Sequence, residues 1–111
     1  MTPSSPEDAP GAAPVLPADR LGSRATFLQL STGFCAPCRA ARRVLERVVA
    51  TTDGVAHVEV DVAHDAALAA RFEVVRTPTV VVLDAGGRPV ARLEGVPGLA
   101  RARALVAALD G

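Results

Sequence analysis

Residues 79–83 (TVVVL) form a continuous run of β-branched and aliphatic side chains. A strand that shows no polar face has to be covered on both sides, so the fold must place layers above and below it. The rest of the sequence supplies those layers. Residues 25–31 (ATFLQLS) are short, apolar and rich in strand formers, and they end at Thr32-Gly33. From Pro37 to about Thr51 the pattern turns helical, with Ala41, Leu45 and Val48 on one face and Arg39, Arg42, Arg43, Glu46 and Arg47 on much of the rest. Asp53-Gly54 stops that helix. Residues 55–62 (VAHVEVDV) alternate as a strand does, and Asp65 is placed to cap a short helix through Phe72. Residues 84–87 (DAGG) read as a hairpin turn into a strand over 90–94, and Pro97-Gly98 opens a last helix with Leu99, Ala102, Leu105 or Val106, and Leu109 inward.

The expected order is strand, helix, strand, helix, strand, strand, helix. Right-handed crossovers would make the first three strands parallel, and the short turn makes the fourth antiparallel. The fold class is therefore α/β: a three-layer sandwich with a central mixed sheet and helices on both faces.

A chain of 111 residues is expected to hold one domain. The first 20 residues contain five Pro, and proline at this density blocks both helix interior and central strand. Residues 1–14 are expected to be a disordered tail, leaving 15–111 as the domain. They lack the basic and apolar regions of a secretory signal, and no apolar run approaches the ~18 residues of a membrane span. The default compartment is the cytoplasm. Twelve basic residues, all Arg, balance twelve acidic ones. That balance argues against a nucleic-acid or anionic-membrane surface as the main purpose. The absence of Lys excludes lysine-nucleophile chemistry. Three Phe, with no Tyr or Trp, are too few for a base-stacking platform.

Chemistry points to the only two cysteines, Cys35 and Cys38. Chance would place two cysteines three apart in roughly 2% of such chains, so the spacing is informative. They fall where a buried strand ends and a helix begins. A helix start offers unpaired N–H groups and a partial positive charge, which stabilise a thiolate. Cys35 lies nearest that terminus, and Arg39 adds a cation, so Cys35 is expected to be the more reactive thiol. Pro37 costs the first turn nothing, having no N–H to lose. Three other readings exist: inert structural cysteines, a structural disulfide, and a zinc site. A disulfide would close too small a loop to restrain the unfolded chain much. Zinc would need two further ligands, with only His57, His64 and carboxylates to choose from, in the wrong spacing.

Phe34-Cys35-Ala36-Pro37-Cys38 between strand and helix, together with Arg76-Thr77-Pro78-Thr79 before a buried strand, resembles the thioredoxin family. The resemblance runs from about Ala25 to Leu109, with residues 84–87 and Glu94-Gly95 in the family's usual places. It implies a thioredoxin-like fold and a dithiol/disulfide oxidoreductase in which Cys35 attacks and Cys38 resolves. It implies that Pro78 is a cis-proline facing the disulfide, and that Phe34, Ala36, Pro37, Thr77, Pro78 and Gly95 form the substrate-contacting surface. No metal or organic cofactor is implied beyond the redox-active disulfide. The implied partners are disulfide-containing proteins and a flavoprotein reductase as electron donor, and the protein is expected to be a monomer.

Several residues depart from the family's pattern. Phe34 stands where a Trp is usual, Ala36 where a Gly is usual, and Thr77 where thioredoxins proper carry Ile. Gln29 replaces a buried Asp, and Glu59 stands where a Lys would be expected beside it. If Glu59 points toward Gln29, it becomes a catalytic candidate. Burial would raise its pKa, making it the proton acceptor for Cys38. The alternative is a Glu59 paired with an Arg that only stabilises the fold. A second function also stays open: a redox-switched thioredoxin-fold binding module without significant turnover, whose Arg-rich helix could favour an acidic partner.

Overall fold

The computed structural model describes residues 15–109. The expected tail over residues 1–14, and the last two residues of the expected domain, lie outside them. The chain runs β1 (Ala25–Ser31), α1 (Ala36–Thr51), β2 (Val55–Asp61), α2 (Ala66–Arg71), β3 (Thr79–Asp84), β4 (Pro89–Glu94) and α3 (Leu99–Ala108). Strand order across the sheet is β2-β1-β3-β4.

All seven residues of β1 are buried, as are the first five of β3, because both strands are central and covered on both faces. One face packs Phe27, Val80 and Val82 against Leu45 and Val48 of α1 and Ala102 and Val106 of α3. The other packs Leu28, Leu30, Val81 and Leu83 beneath Leu68 of α2, Phe72 and Val74. These are the three layers that the sequence required.

Each helix starts where local chemistry dictates. Asp65 caps α2, its carboxylate accepting from the Leu68 N–H at 3.1 Å. Gly98 precedes α3 without a side-chain cap. Among the described residues before β1 the chain makes a 3-10 turn, Ala18–Arg20, while Val15, Leu16 and Leu21 pack under the α2 face.

One expectation is corrected. β1 and β2 are parallel, but β3 runs antiparallel to β1. α2 has six residues and spans only about 9 Å, whereas a seven-residue strand is about 23 Å long, so this helix does not carry the chain back along the sheet. The rest of the connection stays at the end where β2 finishes. The chain leaves β2 and enters β3 at the same end, with Thr79 beside Leu30.

Candidate active site

Three chain connections meet at that end of the sheet. The β1–α1 connection carries Phe34 and Cys35. Cys35 is the N-cap residue of α1, with extended backbone, and its sulfur accepts from the Cys38 N–H at 3.1 Å. Pro37 lies in the first turn, which has no acidic residue. The sulfur itself thus occupies the position where a helix prefers an anion. Cys35 and Cys38 form a disulfide with Cα atoms 5.1 Å apart. Both residues are buried, Cys38 at 1% exposure more deeply than Cys35 at 9%.

The segment before β3 brings the second wall. The Thr77-Pro78 bond is cis, as expected. Cys35 Sγ lies 3.9 Å from the Thr77 carbonyl oxygen and 3.7 Å from its hydroxyl, which in turn sits 3.2 Å from the Thr32 hydroxyl. The segment after β4 supplies the third wall. Gly95 has φ 82°, a region open to glycine, and its N–H donates to the Pro78 carbonyl at 2.9 Å. The structure therefore brings Phe34, Cys35, Ala36, Pro37, Cys38, Thr77, Pro78 and Gly95 to one end of the sheet. Phe34 does not pack over the disulfide as a rim residue would; its side chain is fully exposed, with Val75 and Val96 also exposed on the neighbouring connections.

Behind the disulfide lies a polar cluster that the sequence shows only in part. Gln29 is fully buried at the centre of β1. Its Nε2 donates to the Cys38 carbonyl at 2.7 Å and approaches Ser31 Oγ at 3.1 Å and Glu59 Oε2 at 3.3 Å. Glu59 does point toward Gln29, because the two are paired in the parallel register. The expected rise in its pKa is corrected, however. Burial pushes the carboxyl up, but hydrogen bonds from Arg42 and Ser31 outweigh it and hold Glu59 below its ordinary value. Arg42 grips both carboxylate oxygens, at 2.6 and 3.1 Å, and the Ser31 hydroxyl donates at 2.8 Å. A carboxylate bound this way is a poor proton acceptor.

His57 is the residue that sequence reasoning missed, having weighed it only as a zinc ligand. Its Nε2 lies 2.9 Å from Gln29 Oε1. The signal was present in the period of β2, since His57 and Glu59 are two apart and so share a face. Burial lowers the His57 pKa, with Glu59 opposing. His64, the other histidine, pairs with Asp61 at 3.8 Å instead. Among the described residues, no group of three or more His, Cys, Asp or Glu is gathered to hold a metal.

The geometry is that of a disulfide at a helix terminus, with one sulfur capping the helix and the other one turn in. Comparison with known proteins agrees. Residues 21–110 match the thioredoxin family. The chain is 32% identical over 78 residues to a thioredoxin from Staphylococcus saprophyticus, covering 69% of this chain and 74% of that one. Chloroplastic thioredoxin z superposes with a TM-score of 0.70 at 26% identity, covering 79% of this chain and 80% of the other. A thioredoxin from Halobacterium salinarum has a TM-score of 0.72 over 99% and 97% of the two chains; at 20% identity it speaks for the fold alone. With the Cys35–Cys38 pair in place at the start of α1, the chain belongs to the thioredoxin family and is a thiol–disulfide oxidoreductase.

Proposed function

We propose that this protein reduces disulfides in other proteins, with Cys35 as attacking thiol and Cys38 as resolving thiol. The observation that carries this assignment is the asymmetry of the pair: Cys35 is the N-cap of α1, its sulfur accepting the Cys38 N–H, while Cys38 lies one turn in and is the more deeply buried of two buried residues. Cys35 thiolate attacks a substrate sulfur and the substrate disulfide breaks, leaving a mixed disulfide and a departing substrate thiolate. Cys38 then attacks Cys35 Sγ, releasing the second substrate thiol. Two electrons pass to the substrate, and the protein is left with its own disulfide. The redox-active group is the cysteine pair itself.

Phe34, Ala36, Pro37, Thr77, Pro78 and Gly95 form the docking surface in this reading, and their convergence on one end of the sheet supports it. Glu59 serves as the partner of Arg42 rather than as the base first expected. A flavoprotein reductase restores the dithiol, and the protein works as a cytoplasmic monomer. Turnover of a disulfide-bonded protein with dithiothreitol as donor tests the reading. Wild type turns over, Cys35→Ser does not, and Cys38→Ser accumulates the mixed disulfide. A wild type without turnover would instead favour a redox-switched binding module.

A further inference from the structure

The reaction needs Cys38 to find Cys35 Sγ a second time, after the substrate has taken its place. We propose that Gln29, oriented by His57, is the positioning residue for this second step: it ties the Cys38 backbone to β1 so that the resolving thiol stays aimed at Cys35. The proposal rests on the disulfide-reducing function above.

Gln29 Nε2 faces the Cys38 carbonyl and a Glu59 carboxylate oxygen. Both are acceptors only, so the amide cannot be turned round without setting oxygen against oxygen. Gln29 Oε1 must then point to His57, and an amide oxygen only accepts. His57 Nε2 therefore carries a proton and donates, which fixes the ring's tautomer. The result is a directed chain from His57 through Gln29 to the Cys38 carbonyl, anchored laterally by Ser31, Glu59 and Arg42.

This arrangement suits holding rather than proton uptake. Gln29 does not titrate, and the Glu59 oxygens are already engaged by Arg42 and Ser31. In the second step the Cys38 S–H proton leaves, the Cys38–Cys35 bond forms, and the Cys35–substrate bond breaks. The proton gained by the departing substrate thiolate balances the one lost by Cys38. What the cluster contributes is the location of Cys38 while this happens. The charged groups that bear on His57 are Glu59 on its own strand and Glu46 and Arg42 on α1. Because Nε2 carries its proton in both the neutral and the cationic ring, the clamp persists as His57 titrates.

The test follows both steps by stopped flow from pH 6 to 9 with a disulfide-bonded protein substrate. His57→Leu and Gln29→Leu are expected to slow mixed-disulfide release about five- to tenfold, the rate equivalent of one buried hydrogen bond, with the first attack unchanged. His57→Gln, whose amide N–H reaches the same oxygen, is expected to release within about twofold of wild type with a parallel pH profile. If His57→Leu does not fold, His57→Asn, one carbon too short, takes its place with the same expectation. Release at the wild-type rate in the Leu (or Asn) variant overturns the proposal. So does equal slowing of both steps, or a His57→Gln no better than His57→Leu. A wild type that never turns over fails the functional reading instead, so the two failures are distinct.

Discussion

Phe34→Ala separates docking from folding. The Phe34 side chain is fully exposed in the free protein, so its removal takes no atom out of the core. The stability change is expected within about 0.5 kcal/mol, or a few degrees in Tm. Docking is different. A substrate chain laid against Cys35 meets Phe34, the preceding residue, with Val75 and Val96 on the adjacent connections. Covering about half of the ring's apolar surface, on the order of 80 Å² at about 25 cal/mol per Å², contributes about 2 kcal/mol. Its loss should lower kcat/KM about thirtyfold, as a rise in KM with kcat held. Phe34→Leu should recover most of the difference. The assay is initial-rate reduction of a disulfide-bonded protein, beside a thermal melt of each variant. An unchanged kcat/KM would remove Phe34 from the docking surface. A Tm loss beyond about 5 °C would mean the side chain packs in solution.

Two further outcomes follow from the cluster and from backbone packing. Glu59 titrates below its ordinary value in the fold, so its contribution to stability is full above the unfolded carboxyl value, about 4.3, and is lost as pH falls through the folded one. Glu59→Gln should therefore flatten the acid limb in urea melts between pH 7 and 3; an identical limb would place that proton linkage elsewhere. At Gly22 an added Cβ would lie 2.3 Å from the Ala25 carbonyl oxygen and 2.5 Å from that of Gly54, both backbone atoms. Gly22→Ala should cost about 1–3 kcal/mol by chemical denaturation, whereas Gly33→Ala, with nothing within 4 Å, should not lower the midpoint comparably; equal midpoints would refute the packing argument.

Local chemistry was legible in the sequence because it acts over a few residues. The face Ala41, Leu45 and Val48, the Asp65 cap and the placement of Cys35 at a helix start all came from spacing alone, and all are present. What depended on neighbours distant in sequence was harder. The direction of β3 turns on how far a six-residue helix can carry the chain, which strand patterns do not encode. The Gln29–His57 bond depends on the parallel register between β1 and β2. Arg42 faced Glu59 from a third element, so the balance between burial and ion pairing at Glu59 could be settled only in three dimensions. Leu16 packs into the lower core despite the surrounding prolines, because one apolar side chain needs no regular element to be buried.

The reversed direction of β3 makes the hydrogen-bonded ladder between β1 and β3 a gauge. Leu30 is opposite Thr79, so the sulfur lies five residues past a fixed rung on one rail and Thr77 two residues before it on the other. Were β3 parallel, the Thr77-Pro78 segment would enter at the opposite end of the sheet, about 20 Å away. A slip of a single rung would move the two segments apart by about 3.4 Å and exchange the side chains β3 presents to its two covered faces, setting Val80 and Val82 against the layer that now packs Val81 and Leu83. The fitted packing on both faces therefore resists the same slip that would separate Thr77 from Cys35. Alignment of the reactive parts is thus enforced by the backbone ladder between β1 and β3, and the connections that bear Phe34, Val75 and Val96 can vary in sequence without resetting it.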